Sequence, residues 1–195
     1  MPKVVDHEQR RREVLDATWR VILREGAQGT TIRAIAQEMG CSAGVLAHYF
    51  KDKDDILTSA HLHAYARAEE RIEAVAGQAI GMMALRKVLL EALPLDDVRL
   101  DEARIEVIAW NGALSSPKIA AVKQSSLERW RQKLTQLVRS ARELGEITTA
   151  LSDDLVVHEI VVLVDAMSVE AVIHPDYATP QRQLQLTDAL LGRLR

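Results

Sequence analysis

The stretch Thr31-Ile-Arg-Ala-Ile-Ala-Gln-Glu-Met-Gly-Cys-Ser-Ala-Gly-Val-Leu-Ala-His-Tyr-Phe50 decides the fold. Ile32, Ile35, Ala36 and Met39 recur at helical spacing, and Gly40 ends that run after two to three turns. Thr30 or Thr31 is the expected cap at its start, and Ser42 the cap of a second short helix carrying Val45, Leu46, Tyr49 and Phe50. Two short helices that cross closely need a small residue at the crossing, which Ala36 supplies. The turn four residues later needs a residue tolerant of left-handed backbone angles, which Gly40 supplies. Ile35, Met39, Cys41, Leu46 and Phe50 are expected to be buried and to lock the angle. Together these features describe a helix-turn-helix.

In such a motif the second helix enters the major groove. Ala43, Gly44 and Val45 are small enough to let its first turn approach DNA closely, while His48 and Tyr49 reach for phosphates or base edges. Lys51 and Lys53 follow where phosphate contacts anchor without specifying sequence. The alternative is a plain helical hairpin, in which Ala-x-x-x-Gly serves packing alone.

Outward from the motif every segment is helical. A preceding helix shows Val14, Ala17, Val21 and Ile22 on one face and stops at Gly26 and Gly29. A long helix starts near Asp52 or Asp54 and runs to about Val75, and others are expected over about 82–93, 101–114, 117–144, 153–173 and 179–194. Pro94, Gly145 and the His174-Pro175-Asp176 break punctuate them, and Thr179-Pro180 is a favourable helix start. No alternating strand pattern of useful length is present. The expected fold is all-α, with a DNA-binding domain over residues 1–53 joined by a shared helix to a larger helical bundle over 54–195. With no Pro/Gly/Ser-rich linker, that helix acts as a strut.

Bulk properties exclude more than they assert. The 195 residues include seven aromatics, five prolines and nine glycines, which favours helices over a β-sandwich or barrel. Net charge is −3, so the total does not announce a polyanionic partner, although residues 1–53 hold nine Lys/Arg against seven Asp/Glu. Cys41 is the only cysteine, which rules out an intrachain disulfide. The longest apolar run, Ile160 to Val164, is far short of a membrane span, and no secretory signal is evident, so a cytoplasmic location without membrane partners is expected. His61 and His63 are two apart and face different ways on a helix, and His7, His158 and His174 are isolated. Neither a metal site, a cofactor nor catalysis is expected.

The run from Thr31 through Lys53 closely resembles the signature of TetR-family regulators, with the likeness covering about residues 10–57. Ala47 departs from that pattern, standing where many members carry a DNA-contacting tyrosine. Ala47-His48-Tyr49-Phe50, with Leu127 to Ile147 and Leu163 to Ala171, is more similar to the branch of choline-responsive repressors of glycine-betaine synthesis. The resemblance implies a C-terminal domain that dimerises and binds a small effector. It places Thr31 and Arg33 near the DNA backbone, Ala43, Gly44, Val45 and His48 toward the major groove, and Tyr49 and Lys53 on phosphate. Arg33 as a solvated surface charge is the alternative.

Polar or aromatic residues within apolar stripes are the candidates for the effector site: Trp110 and Asn111, Trp130 and Leu134, and Asp165, Met167 and Glu170. Asp165 could bind a cationic effector or hydrogen-bond a neighbouring helix. A choline-type cation wants several aromatic faces, and beyond residue 60 only Tyr65, Trp110, Trp130 and Tyr177 are on offer. Val157, Ile160, Val161, Val164 and Val169, with Leu184, Leu190, Leu191 and Leu194, exceed what one helix pair hides, which points to a homodimer. The functional expectation is a ligand-responsive repressor acting on a palindromic double-stranded DNA operator. Its rival is a helical protein-interaction module without sequence-specific DNA binding.

Overall fold

The computed structural model describes residues 7–77 and 79–195, with the side chains of His7 and Glu8 outside that set. Residues 1–6, where the expected DNA-binding domain begins, are also outside it. Among the described residues the chain forms helices and no strands: α1 (His7–Gly29), α2 (Ile32–Glu38), α3 (Ala43–Leu46), α4 (Lys53–Ala76), α5 (Gly81–Ala92), α6 (Asp97–Ala113), α7 (Pro117–Glu143), α8 (Asp153–Ile173) and α9 (Pro180–Arg193). α1 is broken at Gly26, whose φ of 68° and ψ of −179° are not helical. α6 starts one turn earlier than its apolar pattern suggests because Asp96 caps it, its Oδ1 accepting the Arg99 N–H at 2.9 Å.

The helices build two compact units that do not follow chain order. The first holds the described residues up to Ala64 together with Ile105–Lys123; the second holds Tyr65–Arg104 and Gln124–Arg195. α4, α6 and α7 are therefore each divided between the two.

The first unit has two apolar cores. One joins Val14, Ala17 and Val21 of α1 to Ile35, Ala36, Leu46, Phe50 and Ile56. The other joins Trp19 and Ile22 to Leu57, Ala60 and Ala64 of α4, and closes over them with Ile105 and Ile119. The Trp19 indole N–H donates to the Ala60 carbonyl at 3.1 Å, so the ring is buried without an unmet donor.

The second unit is a bundle around Leu85 and Leu89 of α5, Leu134 and Val138 of α7, and inward-facing residues of α8 and α9. Here the structure corrects the expected dimer face. Val157, Ile160, Val161, Val164, Leu190, Leu191 and Leu194 are buried within the protomer's own core, and Val169 and Leu184 are half-buried. A different stripe remains outside: Leu155 (53% exposed), Val162 (52%) and Ile173 (57%) on α8, with Leu186 (43%) on α9. α8 thus carries large apolar side chains on its outer face as well as its inner one, the outer ones interleaved with His158, Glu159 and Glu170.

Candidate nucleic-acid interface

The motif is held from behind by charge as well as by packing. Arg20 Nε and Arg24 Nη1 of α1 both donate to the Glu38 carboxylate at the end of α2, at 2.6 and 2.9 Å. Those two guanidinium groups keep the Glu38 carboxyl below the usual carboxylate range, Arg20 most of all. Two of the basic residues of the N-terminal region are thereby engaged by a carboxylate of the chain itself, at its surface. Arg11, Arg12, Arg33 and Lys51 are exposed and form no ion pair among the described residues. Cations left in this state are the ones a phosphate backbone can recruit.

Thr31 is the cap of α2, its hydroxyl accepting the Ala34 N–H at 3.1 Å. Thr30 instead is fully buried and donates to the Gly26 carbonyl at 2.8 Å. At the turn Gly40 has φ of 62°, and the Cys41 N–H donates to the Ala36 carbonyl at 2.9 Å. Ala36 is buried at the crossing, as small-residue geometry requires. Leu46 and Phe50 then drive into the core, which turns Ser42, Ala43, Gly44, Val45, Ala47 and His48 outward into solvent. Tyr49 is half-buried, its ring packed against the core.

Three expectations need correction. Ser42 occupies the cap position with extended backbone angles, but its hydroxyl makes no capping hydrogen bond. α3 is a single turn that gives way to a turn over residues 47–49 rather than carrying Tyr49 and Phe50 within a helix. Met39 and Cys41 are half-buried at the core's edge rather than enclosed. Lys53 has its Nζ 3.3 Å from the Gln28 carbonyl, at the C-terminal end of α1. That is a favourable place for a cation at a helix terminus, and the side chain remains exposed.

Just behind Lys51 and Lys53 lies a cluster that sequence patterning does not reveal. Asp52 Oδ1 accepts the Asp55 N–H (2.7 Å) and Asp55 Oδ2 accepts the Lys51 N–H (2.9 Å), fixing the first turn of α4. The Lys51 N–H holds the Asp55 carboxyl below its ordinary range, and Lys118 adds to the effect. Ser116 donates to Asp54 Oδ2 at 2.5 Å, and Lys118 Nζ lies 3.4 and 3.3 Å from Asp52 and Asp55. The corner between α6 and α7 is thus tied to the turn that presents the lysines. No local signal marks Ser116 or Lys118, since their partners lie more than 60 positions away.

The candidate effector residues divide between the units. Trp110 and Asn111 belong to the first, and Trp130, Leu134, Asp165, Met167 and Glu170 to the second. Trp110 is exposed, with its indole N–H on Glu106 Oε1 at 3.0 Å, and Asn111 is exposed beside it. Glu106 also pairs with Lys123 and lies 2.9 Å from His61 Nδ1. In the second unit Leu134 and Met167 are buried in the core, Trp130 packs at its edge, Asp165 is half-buried and Glu170 is exposed.

Two family profiles match the chain. Residues 14–60 match the bacterial regulatory proteins of the tetR family, and residues 82–195 match the C-terminal domain of BetI-type transcriptional repressors. The HTH-type transcriptional regulator PksA of Bacillus subtilis is 37% identical over 106 residues, covering 54% of this chain and 52% of that protein. A BetI regulator of Paraburkholderia phymatum is 28% identical over 131 residues, or 66% of this chain and 67% of that one. The aligned stretch thus spans about half of the PksA relative and two-thirds of this BetI relative. Among solved structures, a transcriptional regulator from Saccharomonospora viridis in complex with choline superposes with a TM-score of 0.86 at 22% identity, covering 95% of this chain and 96% of that one. A regulator from Rhodococcus sp. Rha1 gives 0.83 at 23%, covering 94% and 95%. These structural likenesses concern the fold.

Proposed function

The chain belongs to the TetR family of bacterial transcriptional regulators, with a BetI-type C-terminal domain, and we propose that it is a ligand-responsive repressor that reads a palindromic operator as a homodimer. The observation that carries this reading is the outward face of Ser42, Ala43, Gly44, Val45 and His48, presented on a turn anchored by Leu46 and Phe50. Small side chains there allow close approach to the major groove, and His48 supplies the reach to a base edge. Thr31, Arg33, Tyr49 and Lys53 flank that face and take phosphates, which set register.

DNA binding is assigned to residues 1–53, and effector binding and dimerisation to 54–195. The exposed stripe Leu155, Val162, Ile173 and Leu186 supports a second copy as its cover, because large apolar side chains left in water along a helix face mark an interaction surface. One motif alone reads too few base pairs for a useful specificity ratio, and two of them span half-sites about 34–36 Å apart or a multiple of a turn. An effector that prefers a conformation with another spacing releases DNA by its differential affinity. Trp130, Leu134, Asp165, Met167 and Glu170 of the second unit, with Trp110 and Asn111 of the first, remain the candidates for contacting it.

The test is a salt titration of binding to the DNA upstream of the chain's own gene. A clear preference over random DNA, with affinity falling linearly in log–log form as salt rises, is expected. Equal binding to random DNA would sink the repressor and favour a helical interaction module.

A further inference from the structure

Beyond residue 60, three of the four Trp and Tyr rings of this chain are already covered by one of its own cations. The Arg129 guanidinium lies 4.8 Å from the Tyr65 ring centroid, Lys123 Nζ lies 5.5 Å from that of Trp110, and the Arg182 guanidinium lies 3.9 Å from that of Tyr177. Each pair falls within a single compact unit. The fourth ring, Trp130, packs against the core of the second unit. The remaining aromatics, Trp19, Tyr49 and Phe50, belong to the packing of the DNA-reading unit.

A quaternary ammonium cannot donate a hydrogen bond, so its desolvation has to be offset by ring faces and a carboxylate. Around Trp110 both are taken. Lys123 lies over the ring and pairs with Glu106, the same carboxylate that accepts the Trp110 indole N–H and approaches His61. A tethered competitor of this kind acts at an effective concentration on the order of millimolar. Around Tyr65 the covering cation also hydrogen-bonds the phenol, whose pKa is raised by its burial.

We infer that the effector of this chain is not a quaternary ammonium ion, although its C-terminal domain is of BetI type. The inference rests on the effector-binding reading of residues 54–195. It also separates this chain from the Saccharomonospora viridis regulator crystallised with choline, whose likeness at 22% identity extends to the fold.

The test titrates the purified full-length protein with choline chloride to about 10 mM, well above a millimolar dissociation constant, against sodium chloride at equal ionic strength. Tryptophan emission, melting temperature and release of upstream DNA are followed together. No saturable change in any of them is expected; a saturable transition, or choline-dependent release of DNA, overturns the inference. Lys123→Met tests the premise directly. The variant should shift tryptophan emission from the wild-type position, and an unchanged spectrum at unchanged helicity would show that Trp110 is uncovered in solution. Operator preference is measured without ligand in the same samples. Its absence would count against the repressor reading, while emission and melting would still decide the choline question.

Discussion

At the scale of single residues, the motif depends on a few positions where geometry leaves little choice. Gly40 has φ of 62°, and a Cβ there would meet nothing within 4 Å, so only backbone strain opposes a side chain. Gly40→Ala should therefore destabilise the protein by about 1 kcal/mol, read from the urea midpoint, with the fold intact. Lys53→Ala should leave stability nearly unchanged, because its ammonium holds only an exposed carbonyl. It should weaken binding to operator and random DNA alike, with the salt slope shallower by about 1 per lost phosphate contact, as measured by fluorescence anisotropy. Positions like Gly40 were legible in the sequence because residue type alone dictates their role. Lys118 and Ser116 were not, because what defines them is a set of distant aspartates brought close by folding.

At the scale of elements, three helix starts were legible because a Ser or Thr closes on its own helix, whereas Asp96, which caps α6 in the same way, was not. Thr31, Ser152 and Thr179 each accept a backbone N–H three residues on, at 3.1, 3.4 and 3.4 Å. Ser42 has the sequence of a cap without the bond, and the Val45 N–H that its hydroxyl would accept donates to the Ser42 carbonyl instead. The two sites therefore part company: Thr31→Ala should cost about 1 kcal/mol in thermal or urea unfolding, and Ser42→Ala close to nothing. The first turn of α4 adds a pH dependence. Asp55 accepts the Lys51 N–H more strongly when ionised, so its folded pKa is lowered. An unfolded aspartate titrates near about 3.9. The stabilisation is complete above that value and is lost as pH falls through the lower folded one. Asp55→Asn should thus flatten part of the loss of stability between about pH 5 and pH 2, followed by circular dichroism. Glu38, Asp96 and Asp188, also lowered by their arginine neighbours, account for further slope.

At the scale of the whole molecule, the helical order was legible but the faces of α8 were not. Periodicity did not tell which apolar side of α8 meets its own bundle, and most of the residues expected at the dimer face proved to be core. The outward stripe yields the prediction. Val162→Glu should give a folded monomer by sedimentation and weaken operator binding by roughly a hundredfold or more, through lost avidity. Division of the helices is the other feature that no linear pattern announces. Because α4, α6 and α7 change units partway, at 64/65, 104/105 and 123/124, the compact unit that holds the helix-turn-helix is contiguous in space but not in the gene. A fusion that carries only residues 1–64 would leave Trp19, Ile22, Leu57 and Ala60 without the cover of Ile105 and Ile119. Specificity in this chain is therefore not a detachable cassette: exchanging the unit that carries its DNA reader for another takes three matched joints, each within a helix.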